Sequence, residues 1–266
     1  MEKVILTPRG LVFPEATTLD SEILGAYKEG IAHYNPKARR VLDIFKDKNG
    51  ELVGSNCFAP IVLAKYLPKG TRIATMADLG IATEINPKFL EGFFSDTGLT
   101  LRTAVGSMME NNSLARTLAE QLKKRNISLK TPKVIYFDAL DLKEDKNSAY
   151  GLIYVLNERA KFGENIINAP ELIRDYQFTK IDDKGIPIED ENGSRICYTG
   201  QGGLSAFYSN VDSNVSSNDW NLAYSDDSGR VVIVKTSEAG HRKNSEANAY
   251  ELRLHACLQS SCPRIL

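Results

Sequence analysis

Turn chemistry constrains this chain more than any other feature. Four loops that end in glycine, each rich in Asp or Asn, stand between apolar runs: Asp47-Lys48-Asn49-Gly50, Asp182-Asp183-Lys184-Gly185, Asp190-Glu191-Asn192-Gly193 and Ser225-Asp226-Asp227-Ser228-Gly229. Such loops supply the positive φ and the side-chain-to-backbone bonds that tight reversals need. Three of the four fall after residue 180, so the C-terminal third is expected to be an antiparallel β-meander rather than alternating strands and helices. Its expected strands cover 176–181, 186–188, 194–199, 204–209, 220–224 and 230–235. A terminal helix over 245–258 would place Ala247, Tyr250, Leu254, Cys257 and Leu258 on one face.

The first 168 residues read differently. Leu19, Ile23, Tyr27 and Ile31 recur at helical spacing, with Thr17 or Thr18 as the expected cap. Alternation over 41–46 predicts a strand that forms a hairpin with 51–54. Pro60 suits the first turn of a helix over 58–67, and Asn86-Pro87 suits the start of another. Residues 99–103 alternate as a strand, and 113–125 carry an apolar helical stripe followed by the basic run Lys123-Lys124-Arg125. Residues 134–137 read as a buried strand, and 150–156 as either a strand or a buried helix. Ile23, Leu118, Ile135, Phe137, Val232 and Val234 are the expected core positions. The expected class is α+β: an N-terminal mixed α/β half over 1–168, then a C-terminal antiparallel β-meander with a terminal helix over 169–266. Asn168-Ala169-Pro170 marks the boundary, because proline discourages helix at the residue before it; one continuous domain is the alternative.

Composition excludes several function classes. The 33 Lys and Arg residues against 34 Asp and Glu leave a net charge of −1, which gives no strong nucleic-acid signal. The longest charge-free apolar stretch, 52–64, has 13 residues, short of the roughly 20 that a membrane span needs. The first nine residues hold a three-residue apolar run where a secretory signal needs roughly 7 to 15. The expectation is a soluble cytoplasmic protein with no membrane partner. Cys57, Cys197, Cys257 and Cys262 form no C-x-x-C pair, and His33, His241 and His255 have no metal-ligand spacing. No metal or cofactor is expected, and the partner is unknown.

Three features bear on chemistry. Cys57, in Gly54-Ser55-Asn56-Cys57-Phe58-Ala59-Pro60, sits between a strand and a helix start, where the dipole would lower a thiol's pKa. A thiol hydrolase or transferase would also need a base, for which His241 is the candidate. The competing reading of Cys57 is a small buried apolar residue. Asp138 and Asp141, with Asp78, offer carboxylates for a cation, but Glu144, Asp145, Lys143 and Lys146 in the same run point to a solvated loop. The polar repeat over 209–220 brings amides and hydroxyls together with Tyr208, Trp220 and Tyr224, the rings expected to contact any ligand. The default expectation is therefore a non-catalytic binding or interaction protein using Tyr208, Trp220 and Tyr224, with the Cys57 enzyme as the alternative.

Overall fold

The structure is a computed structural model and describes residues 16–18 (backbone only), 23–48, 50–218 and 221–235. The expected helix at 245–258 lies outside the described residues. The elements before the main sheet are β1 (Ala16–Thr18), α1 (Leu24–Ile31), α2 (Pro36–Leu42), β2 (Phe45–Lys46), β3 (Leu52–Val53), α3 (Ala59–Leu63), β4 (Thr71–Ile73) and α4 (Met76–Ile85). The middle of the chain gives β5 (Ser95–Leu101), α5 (Asn112–Lys124), β6 (Lys133–Tyr136), β7 (Leu140–Glu144), β8 (Leu152–Leu156) and β9 (Ile166–Asn168). Then come β10 (Tyr176–Ile181), β11 (Pro187–Glu189), β12 (Arg195–Thr199), β13 (Leu204–Ser209), β14 (Val215–Ser217) and β15 (Val232–Lys235).

The class is α+β. Eight strands form the central sheet in the order β11-β10-β12-β14-β13-β5-β6-β9, so strands from both sides of Asn168 share one sheet. Neighbours run antiparallel, with one departure from a plain meander: β14 lies between β12 and β13 and is parallel to β12. Two apolar layers cover the sheet. Leu99, Leu101, Ile135, Leu204 and Ala206 pack with Tyr27 and Ile31 of α1, Leu42 of α2, Ile61 and Leu63 of α3, and Leu114, Leu118 and Leu122 of α5. Val134, Tyr136, Phe178, Phe207 and Val215 pack instead with Met76 and Leu79 of α4 and with Val232 and Val234 of β15. Leu118, Ile135, Phe137, Val232 and Val234 are buried, and Ile23 is half-buried.

Several local expectations need correction, each for a capping or pairing reason. Thr17 and Thr18 do not cap α1, because they belong to β1, which pairs with β15. Residues 41–42 end a helix rather than start a strand. Asn35 Oδ1 accepts from the backbone N–H groups of Lys37 and Ala38 and Pro36 fills the first turn, so α2 is fixed by its cap. The hairpin that follows is present, but only as β2 against β3. Asn86-Pro87 opens no helix; Asn86 closes α4, whose start is a reciprocal Thr75–Asp78 capping box. α3 spans five residues rather than ten. Residues 150–156 resolve as the strand β8, and 221–224 form a turn, with Tyr224 N donating to Asn221 O at 2.9 Å.

Candidate functional site

A β-bulge builds the site. Along β5 and β13, Leu101 faces Leu204 and Leu99 faces Ala206, with Gly98 opposite Phe207; the next pair is Asp96 opposite Tyr208, which leaves Thr97 as an extra residue. Directly opposed residues share a face of the sheet. Strict alternation from Leu99 would turn Thr97 toward the Ala206 and Tyr208 side; the bulge turns Asp96 there instead. Thr97 Oγ1 donates to Phe207 O at 2.8 Å, occupying a carbonyl at the irregularity. Gly98 suits this place because a Cβ would stand 2.6 Å from Ile135 O on β6.

Cys57 reaches the same place from the segment between β3 and α3. Asn56 Oδ1 accepts from Phe58 N and Ala59 N at 2.8 and 3.0 Å, and Asn56 Nδ2 donates to Val41 O, so this turn is held from both sides. The Cys57 thiol donates to Asp96 Oδ1 at 3.6 Å, and both residues are buried, 1% and 6% exposed. The third wall is the 221–229 loop. Cys57 N donates to Leu222 O, Ser225 Oγ to Gly54 O and Phe94 N to Ser228 O. Arg230 anchors the loop's end to Asp47 and Glu51.

These three segments enclose a cavity of about 200 Å³. Cys57, Asp96, Ala206 and Leu222 are its buried part, while Tyr224 and Val211 stand at its exposed rim. Three rings crowd one side: the Phe94 centroid lies 6.1 Å from that of Tyr208 and 6.2 Å from that of Tyr224. Tyr224 Oη donates to Asp226 Oδ2 at 2.7 Å, and Ser228 N and Oγ both donate to Asp226 Oδ1.

Electrostatics divide the two acids. Burial pushes the Asp96 carboxyl up to about 7, against the opposing contacts of Cys57 and Ser55. The Ser55 contact is a loose one: Asp96 Oδ2 and Ser55 Oγ are both buried and neither makes a hydrogen bond of ordinary length among the described residues. Partial burial works to raise Asp226 too, but bonds from Ser228, Tyr224 and Gly229 outweigh it and hold that carboxyl below its usual range. The Cys57 thiol is raised by burial and by the Asp96 charge. Burial also raises the Tyr208 phenol.

The chain finds no match among protein-family models, curated proteins or solved structures. Tyr208 and Tyr224 both line the cavity, and Cys57 is at its buried end. Trp220 and His241 lie outside the described residues. Two amides of the polar repeat serve the backbone, Asn210 Oδ1 accepting from Asp212 N and Asn214 N and Asn214 Oδ1 from Ile196 N, while Asn218 Oδ1 accepts from Ser216 Oγ; just beyond the repeat, Asn221 Oδ1 accepts from Ala223 N. Asp96, Phe94 and Asp226 escape sequence reasoning. The one available signal was an acid followed by Thr97-Gly98 at the head of an apolar strand, a place where glycine hints at a bulge.

A second cavity of about 310 Å³ lies nearby, lined by Lys65, Arg72, Thr97, Asp138, Asp141 and Arg159 among others. Asp78 is not available to it, since Asp78 pairs with Arg72 and caps α4. No group of three metal-ligating side chains occurs among the described residues. Nor is any described helix long and apolar enough to cross a membrane.

Proposed function

We propose that the protein is a non-catalytic binding protein that takes a small molecule into the cavity between β5, β13 and the 221–229 loop. One observation carries this reading: the cavity is lined by a buried carboxyl, Asp96, one of whose oxygens makes no hydrogen bond of ordinary length among the described residues. A buried polar atom left unpaired costs about 1–3 kcal/mol, more if charged. A buried group of this kind calls for an explanation, and an occupant of the cavity beside it supplies one. The cavity is smaller than the ~300–1,000 Å³ of drug-sized sites, so its occupant is compact.

The Cys57 enzyme has less support. A catalytic thiol needs a depressed pKa, and here burial and a neighbouring carboxyl act in the opposite direction. α3 has only five residues to offer a dipole. No histidine stands among the described lining residues.

The test is a fragment titration of the isotope-labelled full chain followed by amide shifts, beside a variant in which Ala206→Phe fills the cavity. Compact polar fragments should shift the signals of Asp96, Tyr208 and Tyr224, and the folded variant should lose the response. Fragments that leave these signals unmoved, or that bind the filled variant equally well, would overturn the reading. Circular dichroism confirms that the variant is folded. If it is not, Leu222→Phe, which narrows the same space from the loop side, replaces it.

A further inference from the structure

We propose that the occupant of this cavity is a small organic cation, an ammonium group, free or alkylated, on a compact apolar frame. The inference rests on the ligand-binding reading above and adds its chemistry. The lining has two carboxyl groups, Asp96 at the buried end and Asp226 at the rim, and no Lys, Arg or His among the described residues. An anion entering there would meet Asp226, which hydrogen bonding keeps ionised. A cation meets attraction at both ends.

The walls fit the same charge. Phe94, Tyr208 and Tyr224 form a continuous cluster with Phe94 in the middle, and an ammonium group over such rings gains about 0.5–2 kcal/mol, most when desolvated. Ala206, Leu222 and Val211 supply the apolar remainder that an alkyl frame covers. A bare metal ion fits poorly. The oxygens of Asp226 accept from Ser228 and Tyr224, and those of Asn210 and Asn221 from backbone N–H groups, which leaves too few uncommitted side-chain oxygens among the described lining residues for the six or so that a hard cation requires.

Proton competition follows from the geometry. The groups facing Asp96 are Cys57 and Ser55 from the turn before α3, Tyr208 from β13, Tyr154 from β8 and Asp226 across the cavity. Burial keeps the Cys57, Tyr154 and Tyr208 protons in place through neutral pH, and Asp226 is already ionised. Asp96 is then the group that changes charge near pH 7, and a permanent cation binds its ionised form.

The experiment compares three probes of one shape on the full chain: choline, its neutral carbon isostere 3,3-dimethylbutan-1-ol, and 3,3-dimethylbutanoate. Affinities come from amide-shift titrations at pH 6 and pH 8, with ionic strength held by sodium chloride. Choline is expected to shift the cavity signals and to bind at least about tenfold more tightly than the alcohol at pH 8. It should weaken by about tenfold at pH 6, the ratio of ionised Asp96 at the two pH values. Asp96→Asn should abolish that pH dependence, and Tyr224→Leu at the exposed rim should weaken choline while leaving the pH dependence in place. If the alcohol matches choline at pH 8, or the carboxylate binds best, the cation assignment falls and the binding cavity stands. If no probe shifts the cavity signals, both fall.

Discussion

Replacing Asp96 by Asn should make the protein more stable, and more so as pH rises. The carboxyl's ordinary value is 3.8, and burial raises it to about 7 in the folded chain. The folded state therefore holds the proton more tightly than the unfolded state does. Below about pH 4 both states are protonated and Asp96 is harmless. Between pH 4 and 7 the unfolded chain releases the proton first, and stability falls by about 1.4 kcal/mol per pH unit. From pH 5 to 7 this removes about 2.3 kcal/mol, and above about pH 7.5 the loss levels off at roughly 4 kcal/mol in total. Asparagine is nearly isosteric and does not titrate, so the gap between variant and wild type should open over that interval and then stay constant. Urea denaturation at half-unit steps from pH 5 to pH 8.5, fitted with a common slope, reads the gap directly. A gap constant across this range, or one that narrows as pH rises, would show that Asp96 is not a buried acid with a raised value, and the cavity would lose the feature on which its binding role rests.

Two further outcomes follow from the packing. Cys57 in the native protein should react with iodoacetamide at pH 7 more slowly than free cysteine, and at the ordinary rate once urea exposes it; a native rate above that of free cysteine would revive the enzyme reading. Arg102 is buried and donates to Leu172 O, Ser205 Oγ and Ser217 Oγ, binding β13 and β14 to the turn after β9. Arg102→Met should cost at least about 2 kcal/mol in the same denaturation assay through the acceptors it strands, and a loss under about 0.5 kcal/mol would contradict that role.

The sequence was legible where one segment decides its own structure. The loops ending at Gly185 and Gly193 reverse the chain where turn chemistry places them, with Asp182 Oδ1 accepting from Lys184 N and Ile186 N. The stripe of Leu114, Leu118 and Leu122 makes α5 recognisable by period alone. Arg125 was readable only as a charge near a helix end. Its guanidinium in fact donates to the carbonyls of Leu156, Asn157 and Ala160, which fastens α5 to the end of β8. Pairing across distance was not legible. No local rule inserts β14 between β12 and β13, because its place in the sheet departs from its place in the chain and joins it in parallel to a strand outside its own hairpin. Asp96 was hidden for a related reason. Alternation counted back from Leu99 and Leu101 assigns it to the opposite side, and only the unequal count of residues on β5 and β13 reverses that assignment. Cys57, by contrast, is a candidate from its place before a helix alone, yet a contact that decides its chemistry, the carboxyl 3.6 Å away, comes from a residue 39 positions distant.

The bulge at Thr97 gives chain length a chemical meaning in this strand. Asp96 and Thr97 are consecutive, yet the first lines the ring-walled cavity and the second the cavity that holds Asp138 and Asp141. Length changes are usually absorbed in surface loops, where an extra residue alters little. Here the residue count decides the chemistry: the extra residue on β5 keeps Asp96 in the aromatic chamber, and equal counts on β5 and β13 would put the Thr97 hydroxyl there and a further acid in the other.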